Sequence, residues 1–138
     1  MKKFALLTMT LSSAMLLAAP AHAEVLTFMA HMDGASESPA TDSKGVAMAD
    51  VKVDTAAKTI TWTIKVDGLT GPATMAHFHG PAAVGANAAP EIDISKMIES
   101  GTAPITDAQI ADIVAGNVYL NIHTAKFPKG EIRGQVMK

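Results

Sequence analysis

The chain contains no cysteine and few aromatics, with a single tryptophan and a single tyrosine. No disulfide can staple it, so stability must come from packing or from a bound ion, and a metal would have to sit on histidine, methionine or carboxylate. The same absence removes the cysteine that a lipid anchor at a signal-cleavage site requires. Lysine and arginine nowhere cluster, which sets aside nucleic acid, whose binders present a basic patch or stripe. Beyond the N-terminal segment no apolar run approaches the roughly 20 residues of a membrane span.

The first 23 residues read as a secretory signal: Lys2 and Lys3, an apolar run from Phe4 to about Leu17, then Ala21-His22-Ala23. Cleavage there leaves Glu24 first, in a product exported to the periplasm or the extracellular space. Removing the two lysines takes the formal charge from −2 for the whole chain to −4. Residues 24–138 are one domain by length, with no internal repeat and no second-domain linker.

Alternation of period two dominates over 24–32, 46–53, 59–66, 74–79, 118–123 and 131–137, and predicts an all-β fold with an antiparallel sheet. In Thr59–Val66 the residues Ile60, Trp62, Ile64 and Val66 face the core, while the threonines and Lys65 face water, as expected of a sheet with one wet side. Asp54–Lys58 reads as a hairpin loop, Asp67-Gly68 with Gly71-Pro72 as a turn, and the strands as a meander. One short helix is expected near 106–115. Thr106 and Gln109 form a capping box, Gly116 is the stop, and Ile110, Ile113 and Val114 make the apolar stripe. Residues 80–89, rich in Ala, Gly and Pro, read as a surface loop.

Three of the chain's five histidines fall in two strand-like segments, His77-Phe78-His79 and Asn121-Ile122-His123. Alternation puts His77 and His79 on one face with Phe78 on the other, and groups Tyr119, Asn121 and His123 opposite Val118, Leu120 and Ile122. Neutral imidazole is the commonest metal ligand, so His77, His79 and His123 are candidate ligands for Cu or Zn. If they share one ion, their ring nitrogens should lie roughly 3 to 4.5 Å apart. A hairpin through Lys126–Gly130 would bring Glu131 and Arg133 near His123. There Glu131 orients a histidine or pairs with Arg133, and with Tyr119 and Asn121 these residues form a polar network around the rings. Met29, His31 and Met32 are a second, copper-type candidate, because thioethers beside imidazole favour Cu(I). Ser95 and Ser100 lack a nucleophile elbow or an adjacent base. Glu37, Asp42, Asp50, Glu91 and Asp93 are scattered and read as solvated acids.

His77-Phe78-His79-Gly80-Pro81-Ala82, the stretch Ala115–Thr124 and Pro128-Lys129-Gly130-Glu131-Ile132-Arg133-Gly134-Gln135 together resemble a CHRD domain, the module named after chordin and widespread in exported bacterial proteins. Gly34-Ala35-Ser36-Glu37-Ser38-Pro39 is similar to the family's Gly-Ala-Gln-Glu-Val-Pro-Pro, with serines at 36 and 38 and one proline only. The resemblance implies an all-β sandwich or barrel and no established catalytic activity. Three functions follow as expectations: an exported, non-catalytic binding module holding Cu or Zn on the three histidines; a structural or protein-interaction domain whose histidines only hydrogen-bond; or a copper-dependent redox enzyme of superoxide-dismutase type. In the second, a protein partner docks on an exposed edge or on the 80–89 loop.

Overall fold

The computed structural model describes residues 24–138, so the expected signal peptide lies outside the described residues. Eight strands form one sheet: β1 Val25–Asp33, β2 Val46–Asp54, β3 Thr59–Asp67, β4 Ala73–His79, β5 Pro90–Asp93, β6 Ser100–Pro104, β7 Tyr119–Thr124 and β8 Ile132–Gln135, with helix α1 at Asp107–Val114 between β6 and β7. All the pairings are antiparallel and run β5-β4-β7-β8-β1-β2-β3-β6. Of the two expected architectures this is the barrel-like one.

The expected meander holds only for β1-β2-β3. β4 leaves β3 and pairs with β5 on one side and β7 on the other, which places the histidine segments side by side. Closure comes from 94–99, which joins the two edge strands. Ile94 N–H donates to Ala76 O at 3.0 Å, Ile64 N–H to Glu99 O at 2.7 Å, and Trp62 Nε1 to Met97 O at 2.9 Å. The sequence pattern did not reveal β5 or β6. They are four and five residues long and carry Pro90, Gly101 and Pro104, which edge strands tolerate and hydrophobic alternation does not register. Gly101 is required by packing, since a Cβ there would lie 2.5 Å from the Trp62 ring.

Inside the barrel, Phe28, Ile60, Trp62, Phe78, Leu120, Ile122 and Ile132 are buried. Trp62 meets Phe78 edge to face at 5.9 Å, a geometry the ring quadrupoles favour. Val66, expected inside, is 36% exposed at the strand end, and Val114 of the helix stripe is 49% exposed, leaving Ile113 as the helix's buried anchor. The Thr106–Gln109 capping box forms as expected.

β1 to β3 alternate between core and solvent, but all six residues of β7 are buried. The expected wet face is therefore dry at the site. The 80–89 loop, read as a surface excursion, folds back over it: Arg133 donates to Ala86 O at 2.7 Å and Asn87 Oδ1 at 3.1 Å, and Gln135 Nε2 donates to Ala82 O at 2.8 Å.

Glu131 clasps one end of the barrel. Its fully buried carboxylate accepts from Ser43 Oγ at 2.6 Å, Thr70 N–H at 2.8 Å, Thr70 Oγ1 at 2.7 Å and Thr124 Oγ1. Its carbonyl accepts from Thr41 Oγ1 at 2.8 Å. Burial alone would raise its pKa, but the Ser43, Thr124 and Thr70 donors outweigh burial and hold it below the ordinary carboxylate range. A buried acceptor serving four donors cannot be removed cheaply. Glu131→Ala should lower the unfolding free energy by roughly 2 to 4 kcal/mol in denaturant titrations at pH 7. Because the folded pKa is depressed, the Glu131 contribution is present above pH 4.5 and fades as pH falls through the folded value. The stability difference between wild type and Glu131→Ala should therefore shrink in acid.

Candidate metal centre

His77 and His79 flank Phe78 on β4. Phe78 enters the core, so both imidazoles are turned to the outer face. Across the β4–β7 ladder Asn121 lies opposite His77 and Tyr119 opposite His79, while His123 lies opposite Met75 and so diagonal to His77. His77 Nδ1 and His123 Nε2 are 3.3 Å apart. The His77 ring stands edge-on to both partners, with centroids 5.4 Å from His79 and 5.1 Å from His123. One ring nitrogen from each histidine lies within 4.8 Å of the others. That bound slightly exceeds the expected 4.5 Å. Bonds of about 2 Å to a common ion require the widest pair to close by several tenths of an ångström through ring rotation.

The outer nitrogens fix the tautomers. His79 Nδ1 is 3.0 Å from Ala88 O and His123 Nδ1 is 3.0 Å from Pro128 O. A carbonyl only accepts, so each Nδ1 carries the proton and each Nε2 presents a lone pair. His77 turns Nε2 towards the Asp93 carboxylate at 3.8 Å, leaving Nδ1 inward. Asn121 Oδ1 sits 3.0 Å from His79 Nε2 and 3.1 Å from His123 Nε2. Three acceptor atoms thus converge, His79 Nε2, His123 Nε2 and Asn121 Oδ1, while His77 Nδ1 lies 3.3 Å from His123 Nε2 and donates to it in its Nδ1–H tautomer.

Protonation of His77 and His79 is disfavoured. Burial lowers the His77 pKa, reinforced by His123 and His79 and opposed by Asp93. Burial likewise lowers His79, against the Ala88 carbonyl and the Asn121 side chain. His79 and His123 are 8% and 7% exposed.

Of the expected polar network, Tyr119, Asn121 and Arg133 are at the rings. Tyr119 stacks on His79 at 4.7 Å with planes 4° apart, and the Arg133 guanidinium carbon lies 3.4 Å over the Tyr119 ring. His79 on β4 and Arg133 on β8 flank β7 from its two sides, so the cation is spaced from the histidines by an aromatic ring. Glu131 is a correction. It neither orients His123 nor pairs with Arg133, because the chain bends just before β8 and its carboxylate joins Thr124, which alternates to the other face of β7.

The second candidate does not assemble. Met32 is wholly buried in the core, whereas Met29 is 50% exposed and the His31 side chain 65% exposed. Strand alternation, which joins His77 to His79, separates Met32 from Met29 and His31.

Of the acids read as solvated, Asp93 is exposed as expected yet borders His77, and Glu37 is buried beside the site. Asp93 is brought to His77 by β5, the strand that alternation did not register. Glu37 lies at a cavity of about 880 Å³ that His79, Tyr119, Asn121 and Phe127 also line. Its one sequence signal was its place in the Gly34–Pro39 segment; isolated acids carry no spacing.

Among the described residues no helix is long and apolar enough to cross a membrane. Comparison with curated proteins and with solved structures finds no match. The family model described as "CHRD domain" matches residues 28–136, which include every strand but the first residues of β1, and the chain belongs to the CHRD domain family.

Proposed function

We propose that this chain is a non-catalytic binding module that holds one Cu or Zn ion on His77, His79 and His123. One observation carries the reading: each ring turns its outer nitrogen to an acceptor and its inner nitrogen into a common gap. Metal-bound histidines are held in this way, with the second N–H donated to a carbonyl or carboxylate that fixes tautomer and orientation. A hydrogen-bond network without metal would need donors in the gap; His77 Nδ1–H supplies His123 Nε2, but His79 Nε2 faces the oxygen of Asn121 as one lone pair against another. Absence of thiolate restricts the donor set to nitrogen and oxygen, which suits Zn(II) and Cu(II). Burial of two of the three rings favours holding the ion over turning over a substrate, and the redox-enzyme reading has no supporting observation of its own.

Export is part of the proposal. It rests on Lys2-Lys3, the apolar run and Ala21-His22-Ala23, and is checked by the mass of the chain recovered from outside the cytoplasm, expected to begin at Glu24.

Zn(II) or Cu(II) titrated calorimetrically into residues 24–138 should bind at one equivalent. His77→Ala/His79→Ala/His123→Ala should lose at least 100-fold in affinity with its strand circular dichroism retained. Equal, weak binding by both proteins would assign the rings to structure.

Metal and protons compete for the same nitrogens. Because the folded pKa values of His77 and His79 lie below the ordinary 6.5, proton competition at these two rings should set in only below 6.5, which ring NMR alongside Zn(II) titrations from pH 7.5 to 4.5 would follow.

A further inference from the structure

Which of two incompatible states the gap adopts depends on the amide of Asn121. With Oδ1 inward, the amide adds a lone pair to those of His79 Nε2 and His123 Nε2, a set that a cation satisfies and that His77 Nδ1 completes in its Nε2–H tautomer. With Nδ2 inward, it would donate to His79 Nε2 and His123 Nε2 and complete a metal-free network. Oxygen and amide nitrogen are nearly the same size, so packing against the rings cannot choose between them. The group at the outer end of the amide has to.

That group is Glu37. Its Oε1 is buried and makes no hydrogen bond. A Cβ added to Gly130 would collide with Glu37 Oε1 and come within 3.0 Å of Asn121 Nδ2, so carboxylate and amide nitrogen border the same space, one that only glycine leaves open. The turn before β2 holds the acid there: Asp33 Oδ1 accepts from Ser36 N–H at 2.8 Å and Gly34 O from Glu37 N–H at 3.3 Å. Burial pushes the Glu37 carboxyl up, against the Ser38 N–H, the Arg133 guanidinium and the Asn121 amide. No hydrogen bond joins the two groups, but a carboxylate oxygen only accepts, so its charge beside the amide favours the nitrogen end there and turns the oxygen end to the histidines.

We propose that Asn121 Oδ1 is the fourth donor to the metal and that Glu37 is the positioning residue that keeps it facing inward. This rests on the metal reading above and completes it as a four-coordinate N₃O site, the number structural zinc sites take. Asp93 behind His77 and Glu37 behind Asn121 then supply two negative charges around a divalent ion.

The test is Zn(II) affinity by competition with a chromophoric chelator, with the visible spectrum of the Co(II)-loaded protein as a second readout. The proteins are wild type, Glu37→Met, Glu37→Gln, Asn121→Leu and Glu37→Met/Asn121→Leu. Glu37→Met should weaken Zn(II) about 10- to 100-fold, the usual effect of losing such a supporting group, and should change the Co(II) spectrum. Glu37→Gln, which can still offer an amide oxygen to Asn121, should recover most of the affinity. In the Asn121→Leu background the Glu37→Met change should have no further effect, because Glu37 acts through Asn121. A wild-type affinity for Glu37→Met, or an additive double variant, overturns the proposal.

One readout needs no variant. The Asn121 side-chain NH₂ protons of ¹⁵N-labelled wild type should show contacts to Gly130; contacts to the His79 and His123 rings instead also overturn it. Failure of wild type itself to take up one equivalent of Zn(II) would sink the metal reading, a separately visible result.

Discussion

Six consecutive buried residues on β7 set the terms for everything around them. A strand with one face in the barrel core and the other covered by loops has no solvent to satisfy its polar side chains, so each polar group on Tyr119–Thr124 needs a partner supplied by the protein. The partners come from the loops that close over the strand and from around β8. Ala88 and Pro128 carbonyls take the outer histidine protons, Arg133 and Gln135 pin the 80–89 loop across the strand, and Glu131 gathers hydroxyls at the end. Loop placement and polar satisfaction are the same problem here.

The two carboxylates nearest β7 show two outcomes of burial. Glu131 is surrounded by donors, stays ionised more easily than a free acid and ties the barrel end together. Glu37 is short of donors, has its pKa raised, and leaves an oxygen without a partner. The first pattern is what structural acids look like. The second is expensive, and buried polar atoms left unpaired are where function is looked for.

The strand face of each histidine was legible, because period-two alternation needs no tertiary information: Phe78 fixed which way His77 and His79 point. The helix was legible through Thr106, Gln109 and Gly116. The same rule misjudged Met29-His31-Met32 only because adjacency in sequence was read as adjacency in space. β5 and β6 were not legible, since Pro90, Gly101 and Pro104 break every propensity signal and their stability comes from the neighbours they hydrogen-bond. Glu131 was assigned to the wrong cluster because a one-residue irregularity before β8 sends its carboxylate to the other face.

Sequence by itself determined the all-β class, the family, the helix and the pairing of His77 with His79, all consequences of local periodicity and short motifs. Tertiary structure decided that β4 lies beside β7 and not beside β3, so that His123 meets His77. It also decided that the polar face is dry and that Glu37 stands behind Asn121. These depend on contacts between residues 40 to 90 positions apart, where chain topology and the need to pair buried polar groups act, and no local pattern encodes either.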